Sequence, residues 1–424
     1  MIASKPSPRF IQNTYLVLTL FNTLATSFIW GINTLFLLDA GLTNAQAFLA
    51  NAFFTIGQVI FEIPTGIVAD IRGRRTSYML GTLTLAGSTL AYFAAWMFHA
   101  PFWAWAASSI LLGLGYTFFS GATEAWLVDA LKFAEYKGEL ESVFAKSQAV
   151  AGVAMLAGSV GGGLIAQATD LGVPYILRGA FLLINYGVAF AFMKDWGFTP
   201  VKSAHLGQDI KRLFATSFQL GLKKPAVRWI MLGAPFASGV GFYVFYAMQP
   251  HLLALYGDPS AYGIAGLAAS IVAAAQILGG LSAPLVRKLF VLRTTALLIG
   301  EIATVAFLLL MGLTSEFWMA ILFLSAWGLL FSAILPVRAA YLNSLIPSEQ
   351  RATVLSFDSL MGSSGGVIIQ PLLGRVADLW GYSQSFLVSS AIRALAVPLA
   401  DLARRENLKA KGEPDLAADD RASA

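Results

Sequence analysis

The chain has 424 residues, 57% of them hydrophobic and 12% charged, with a mean hydropathy of +0.69 and a formal net charge of +5. An ordinary soluble domain carries about 25% charged residues, so this balance excludes one and points to repeated membrane crossings. There is no Cys, and the only histidines, His99, His205 and His251, lie far apart; disulfides and thiolate chemistry are excluded, and neither a metal site nor a cofactor is expected.

The first ten residues are polar, and the apolar run after them is too long and too rich in Asn and Thr for a signal peptide. Stretches of about 20 apolar residues then recur, each able to cross a hydrocarbon core as a helix with its backbone groups satisfied internally. Twelve spans are predicted, near 12–38, 44–70, 76–98, 102–131, 142–168, 174–193, 227–256, 262–286, 292–313, 316–345, 352–378 and 383–402. The links at 39–43, 99–101, 169–173, 257–261, 314–315 and 379–382 hold no Lys or Arg, whereas the opposite set holds Arg72, Arg74, Arg75, Lys132, Lys137, Arg287, Lys288, Arg293 and Arg351. Positive charge stays inside, so both termini are expected in the cytoplasm. The same asymmetry accounts for the net charge without nucleic acid, since no basic and aromatic soluble surface is present.

The long loop 194–225 separates two halves, 1–193 and 226–403. Within it Ile210, Leu213, Phe214 and Phe218 share one helical face, as in an interfacial amphipathic helix. The segment 404–424 is charged and apolar-poor and is expected to be a disordered cytoplasmic tail. The halves carry a weak repeat, a mark of transporters. A shift of 214 lays Gly66 on Gly280, Ala125 on Ala339, Asp129 on Asn343, Glu62 on Gln276 and Glu124 on Arg338. Asp70 falls on Pro284, so the second half lacks that acid.

Between the second and third spans, Gly66-Ile67-Val68-Ala69-Asp70-Ile71-Arg72-Gly73-Arg74-Arg75 puts one acid and three arginines at a tight bend, a charge latch joining two helices. It resembles the G-x-x-x-D-x-x-G-R-[RK] turn of the major facilitator superfamily of secondary transporters. Glu62-Ile63-Pro64-Thr65-Gly66, the stretch Ser120 to Asp129, and Ile346 to Thr353 are also similar to bacterial members described as exporters. The resemblance covers about residues 10–402. It implies an all-α membrane protein of two six-helix bundles that rock about a central cavity, in the bacterial inner membrane. One departure stands out: Ala157-Gly158-Ser159-Val160-Gly161-Gly162-Gly163 lacks the proline of the drug-antiporter pattern in span five.

The family pattern assigns Gly66, Asp70, Gly73, Arg74, Arg75 and Asp129 to an inner gate, with Asp70 facing the start of span eleven and Asp129 pairing with Arg74. Ionisable groups inside spans are costly and point to function. Glu62 and Glu124 each lie about eight residues, ~12 Å of helix rise, from the inner end of their span. At that depth they are expected to be poorly solvated and to carry protons. Arg338 sits at matching depth, facing Glu124 if spans four and ten oppose each other as in the family. Asp358 is expected to pair with Lys146. Arg178, Arg393 and Glu301 lie in spans peripheral in this fold, where they snorkel or pair.

Trp30, Tyr116, Trp126, Tyr243, Tyr246 and Trp327 fall on the spans that line the family's cavity, and Asn33, Gln249 and Gln276 add polar contacts. Such a lining suits a bulky, partly apolar ligand. The expectation is a monomeric, proton-coupled exporter of a small amphiphilic molecule rather than an enzyme. Uptake or facilitated diffusion of a metabolite, lipid flipping, and a non-transporting sensor or scaffold are the alternatives.

Overall fold

A computed structural model describes residues 5–200, 224–290, 292–346 and 351–411. Among them every regular element is an α-helix. In chain order these are α1 (Pro8–Ser27), α2 (Asn33–Asp39), α3 (Asn44–Arg72), α4 (Arg74–Met97), α5 (Phe102–Thr117), α6 (Ala122–Phe133), α7 (Leu140–Ala168) and α8 (Val173–Phe192). There follow α9 (Pro225–Tyr256), α10 (Tyr262–Leu289), α11 (Arg293–Leu313), α12 (Phe317–Leu345), α13 (Arg351–Trp380), α14 (Tyr382–Ala394) and α15 (Ala396–Lys411). Nine helical segments among the described residues are long and apolar enough to cross a membrane, against the twelve spans expected. The three that fall short are the first, third and eleventh. The first is split after Ser27, α4 is rich in Ser and Thr, and α13 carries Asp358, Arg375 and Asp378.

Span four is also two helices. The chain turns at 118–121, where Gly121 has φ +66°, and resumes as α6. Starts are capped locally: the Ser7 hydroxyl accepts from the Phe10 amide at 3.2 Å, and Thr43 and Gln46 form a reciprocal capping box on α3. The predicted amphipathic helix lies outside the described residues.

The chain divides into two compact units, one of residues 1–204 and 252–270, the other of 205–251 and 271–424. In the first, α3 packs on α5, α1 on α7 and α8, and α4 on α5 and α8. Its core gathers Ile11, Tyr15, Leu18, Tyr78, Trp126 and Leu127 toward the end bearing the basic turn, and Phe36, Trp105, Leu112 and Tyr175 toward the other. In lipid the surroundings are as apolar as the helices, so close contact replaces hydrophobic burial as the cohesive force. The glycines of α7 provide it: a Cβ on Gly162 would collide with the carbonyl of Phe28, so the break between α1 and α2 rests directly on α7.

In the second unit α11 packs on α12, α14 and α15. Its core includes Met231, Leu297, Val337, Tyr341 and Ala403. Helix α15 runs on to Lys411, correcting the tail expected from 404. The reason is local pairing: Arg405 Nε meets Asp401 Oδ2 at 2.8 Å, and Arg404 and Asn407 donate to Thr295 and Thr294, each at 3.2 Å. Residues after 411 lie outside the described ones.

Candidate functional site

The latch is built on a single residue. Gly73 ends α3 and starts α4 at φ +100°, a conformation that disfavours any side chain. Arg74 Nη1 reaches back to Asp70 Oδ1 at 2.7 Å. The pairing differs from the one expected: Asp129 forms no ion pair with Arg74 among the described residues, and Asp70, one turn away along the same corner, takes the guanidinium. Gly66 is open, with nothing near a Cβ built on it.

The start of α4 has no side-chain cap of its own. Asp195, just after α8, supplies one: its Oδ1 accepts from the Arg75 amide at 2.8 Å, and a Cβ on Gly73 would strike its carboxylate. Arg75 in turn donates to the Phe190 carbonyl at 2.8 Å, and the Arg74 guanidinium lies 5.8 Å from the Phe198 ring. Trp126 Nε1 donates to the Lys194 carbonyl at 2.8 Å. Residues 194–198 thus fold back over the start of α4 and the second half of α6. Burial raises the Asp195 pKa above the ordinary carboxylate value, outweighing the amides and charges of Arg75 and Arg74, which lower it. Asp195 was not among the residues singled out by sequence. Its only signal there is an acid immediately after span six, on the side expected to be basic.

The charges inside the spans are arranged differently in the two units. In the first, Glu62 and Glu124 are exposed rather than packed among their neighbours. Glu62 Oε1 accepts from Ser120 Oγ at 2.5 Å, across the break between α5 and α6. Neither forms an ion pair among the described residues. In the second unit Arg338 holds Asp358 through both oxygens, at 2.6 Å each. This corrects two expected pairings: Asp358 is engaged by Arg338 rather than waiting for Lys146, which is exposed, and Arg338 is neutralised within its own unit.

Of the groups expected at the periphery, Arg178 and Arg393 are buried and Glu301 is half-buried. Glu301 Oε2 lies 2.6 Å from Arg393 Nε. With Arg338, Phe331 and Thr304 they line a cavity of about 50 Å³, room for a water or two. Arg178, 3% exposed, neither snorkels nor finds an acid among the described residues. It donates to Thr89 Oγ1 at 3.0 Å and to Tyr116 Oη at 3.4 Å.

The aromatic set divides too. Trp126, Trp327 and Tyr243, with Gln249, are at most 1% exposed. They are core residues rather than walls of an open cavity: Tyr243 donates to Ser385 Oγ at 2.5 Å and Trp327 stacks on Phe331 with ring centroids 5.3 Å apart. Trp30, Asn33, Tyr116, Tyr246 and Gln276 stay partly exposed. Asn33 links Asn51 and Tyr175, at 3.2 and 3.0 Å. Among the described residues no group of three or more His, Cys, Asp or Glu is placed to hold a metal ion.

A family model described as Major Facilitator Superfamily matches residues 15–368. Solved structures similar to this chain include a point mutant of the nucleoside transporter NupG, with a TM-score of 0.79 at 12% identity over 93% of this chain and 99% of that one. A bacterial homologue of the human lysosomal transporter Spinster, inward-facing and unoccupied, gives 0.72 at 16% identity over 96% and 99%. A POT family transporter in complex with a thioalcohol-conjugated peptide gives 0.67 at 13% over 94% and 96%. At such identities the likeness is one of fold. A search of curated proteins finds no match.

Proposed function

The chain belongs to the Major Facilitator Superfamily, and from that premise we propose that it is a proton-coupled secondary transporter that exports a small amphiphilic organic molecule by alternating access. Family membership makes it a multi-pass membrane protein that binds a small-molecule cargo. The observation that carries the coupling reading is the contrast between the two units. Asp358 and Glu301 each sit against an arginine, whereas Glu62 and Glu124 have no cation among the described residues. A carboxylate in a span without a fixed cation is held in place by a proton or by cargo. Glu124 is the proposed carrier, and Glu62, tied to Ser120, assists it. The latch of Gly66, Asp70, Gly73, Arg74 and Arg75, with Asp129 beside it, is the proposed gate. Export follows the sequence likeness to exporters, and the basic inner links support a latch and both termini on the cytoplasmic side of a bacterial inner membrane. The protein is proposed to work as a monomer.

Uptake of a metabolite is the second reading, favoured by the fold likeness to a nucleoside transporter. One experiment separates them. The wild type and Glu124→Gln are expressed at equal levels in an efflux-deficient strain, and accumulation of a panel of amphiphiles is followed with and without a proton ionophore. Export is expected to lower accumulation, to be abolished by the ionophore, and to be lost in Glu124→Gln. Raised accumulation by the wild type would replace export with uptake, and ionophore-insensitive transport would remove proton coupling.

A further inference from the structure

Two arginines hold the same place in the two halves and differ in one respect. Arg178 on α8 and Arg393 on α14 are 215 positions apart, one more than the offset that aligns the latch helices. The same 215 lays Tyr116 on Phe331 and Thr89 on Thr304. The spatial correspondence is close: the Arg178 guanidinium lies 6.0 Å from the Tyr116 ring centroid, and that of Arg393 lies 5.9 Å from Phe331. Both arginines are buried, at 3% and 4% exposure. Thr89 hydrogen-bonds to Arg178, and Thr304 lines the cavity beside Arg393. One arrangement has been built twice.

The halves part at the acid. Arg393 has Glu301 at 2.6 Å, but an offset of 215 lays Glu301 on Ala86, a methyl group buried at 2%. Arg178 is left with two neutral hydroxyl partners and, among the described residues, no carboxylate. A guanidinium does not shed its proton, and a buried cation without an anion is strongly unfavourable. The fold has kept the cation and given up its counter-ion.

We infer that Arg178, with Tyr116 and Thr89, is a binding site for a small organic carboxylate, whose charged group takes in the first half the place that Glu301 takes in the second. The planar fork of the guanidinium matches a carboxylate in geometry as well as charge. Tyr116 donates to Thr26 at 3.2 Å. Both are partly exposed and mark the approach, with the tyrosine ring offering a flat apolar face to the body of the ligand. The site rests on the proposed function only in that the protein carries a small organic molecule.

The test is binding to the purified full-length protein, read as the shift in thermal unfolding midpoint with benzoate, its uncharged isostere benzamide, and chloride at matched ionic strength. Benzoate is expected to stabilise the wild type above both controls. Its apparent affinity is expected to fall about 10- to 100-fold in Arg178→Gln, the ratio carried by a hydrogen bond between charged groups. Ala86→Glu, which restores the acid in place, is expected to lose the benzoate effect as well. If one variant does not fold, the other reads the same contact. Stabilisation by benzamide or chloride equal to that by benzoate would overturn the site, as would wild-type benzoate affinity in either variant. Because binding rather than transport is measured, failure here removes the carboxylate site alone, and failure of the export assay leaves this result standing.

Discussion

Asp195 shows how much one side chain can carry at the latch. It caps α4 from a position 120 residues further along the chain, replacing the side chain that Gly73 lacks. Asp195→Ala is expected to destabilise the protein by about 1 kcal/mol, the worth of a lost N-cap, seen as a lower unfolding midpoint in detergent. Asp195→Asn keeps an oxygen for the Arg75 amide and is expected to stay near wild type at neutral pH. The wild type and Asp195→Asn differ in pH dependence. Because burial raises the folded-state pKa of Asp195, its contribution is fully present below the ordinary carboxylate pKa and declines as pH rises through the raised value. The wild-type midpoint is expected to fall across that window relative to Asp195→Asn, and parallel curves would show that Asp195 is not the titrating group. Gly73 and its arginines are legible in the sequence because the motif is local. Asp195 is not, because its role depends on a chain return that no local pattern encodes.

Among elements, the long apolar runs are read readily, since a crossing helix needs little beyond length and apolar character. The breaks are harder. Span one ends its first helix at Ser27 without Gly or Pro at the stop. What the sequence does show is the glycine row of α7, and the structure explains it as the bed for that break. Gly162→Ala places a Cβ against the Phe28 carbonyl and is expected to cost about 1–3 kcal/mol, as overpacking does. Gly162→Leu is expected to prevent α1 from seating and to remove the folded protein from the membrane fraction. Equal yields of wild type and Gly162→Leu would show that α1 and α7 do not need this contact. Helix α15 was missed beyond Arg404 because its charges read as tail, whereas Asp401, Arg404 and Arg405 pair along one helix face.

At the scale of the molecule, the all-helical membrane fold and the family were legible in the sequence, and the allocation of charge was not. Depth along a helix locates a carboxylate but says nothing of which neighbour turns toward it, so Arg338 was assigned a partner in the wrong half. The second unit keeps its acids paired inside. Arg338→Ala is accordingly expected to lower abundance, since it leaves Asp358 without a partner and costs about 3 kcal/mol, while Glu124→Gln is expected to leave abundance unchanged and remove transport. Quantitative immunoblotting beside the transport assay checks both, and the reverse pattern would place the working charges in the second unit. The return of residues 194–198 over α4 and α6 also relocates the seam between the halves. A gene divided at the end of α8 would hand Asp195 to the wrong polypeptide, whereas one divided after Pro200 would keep Asp195 on the piece whose helix α4 it caps.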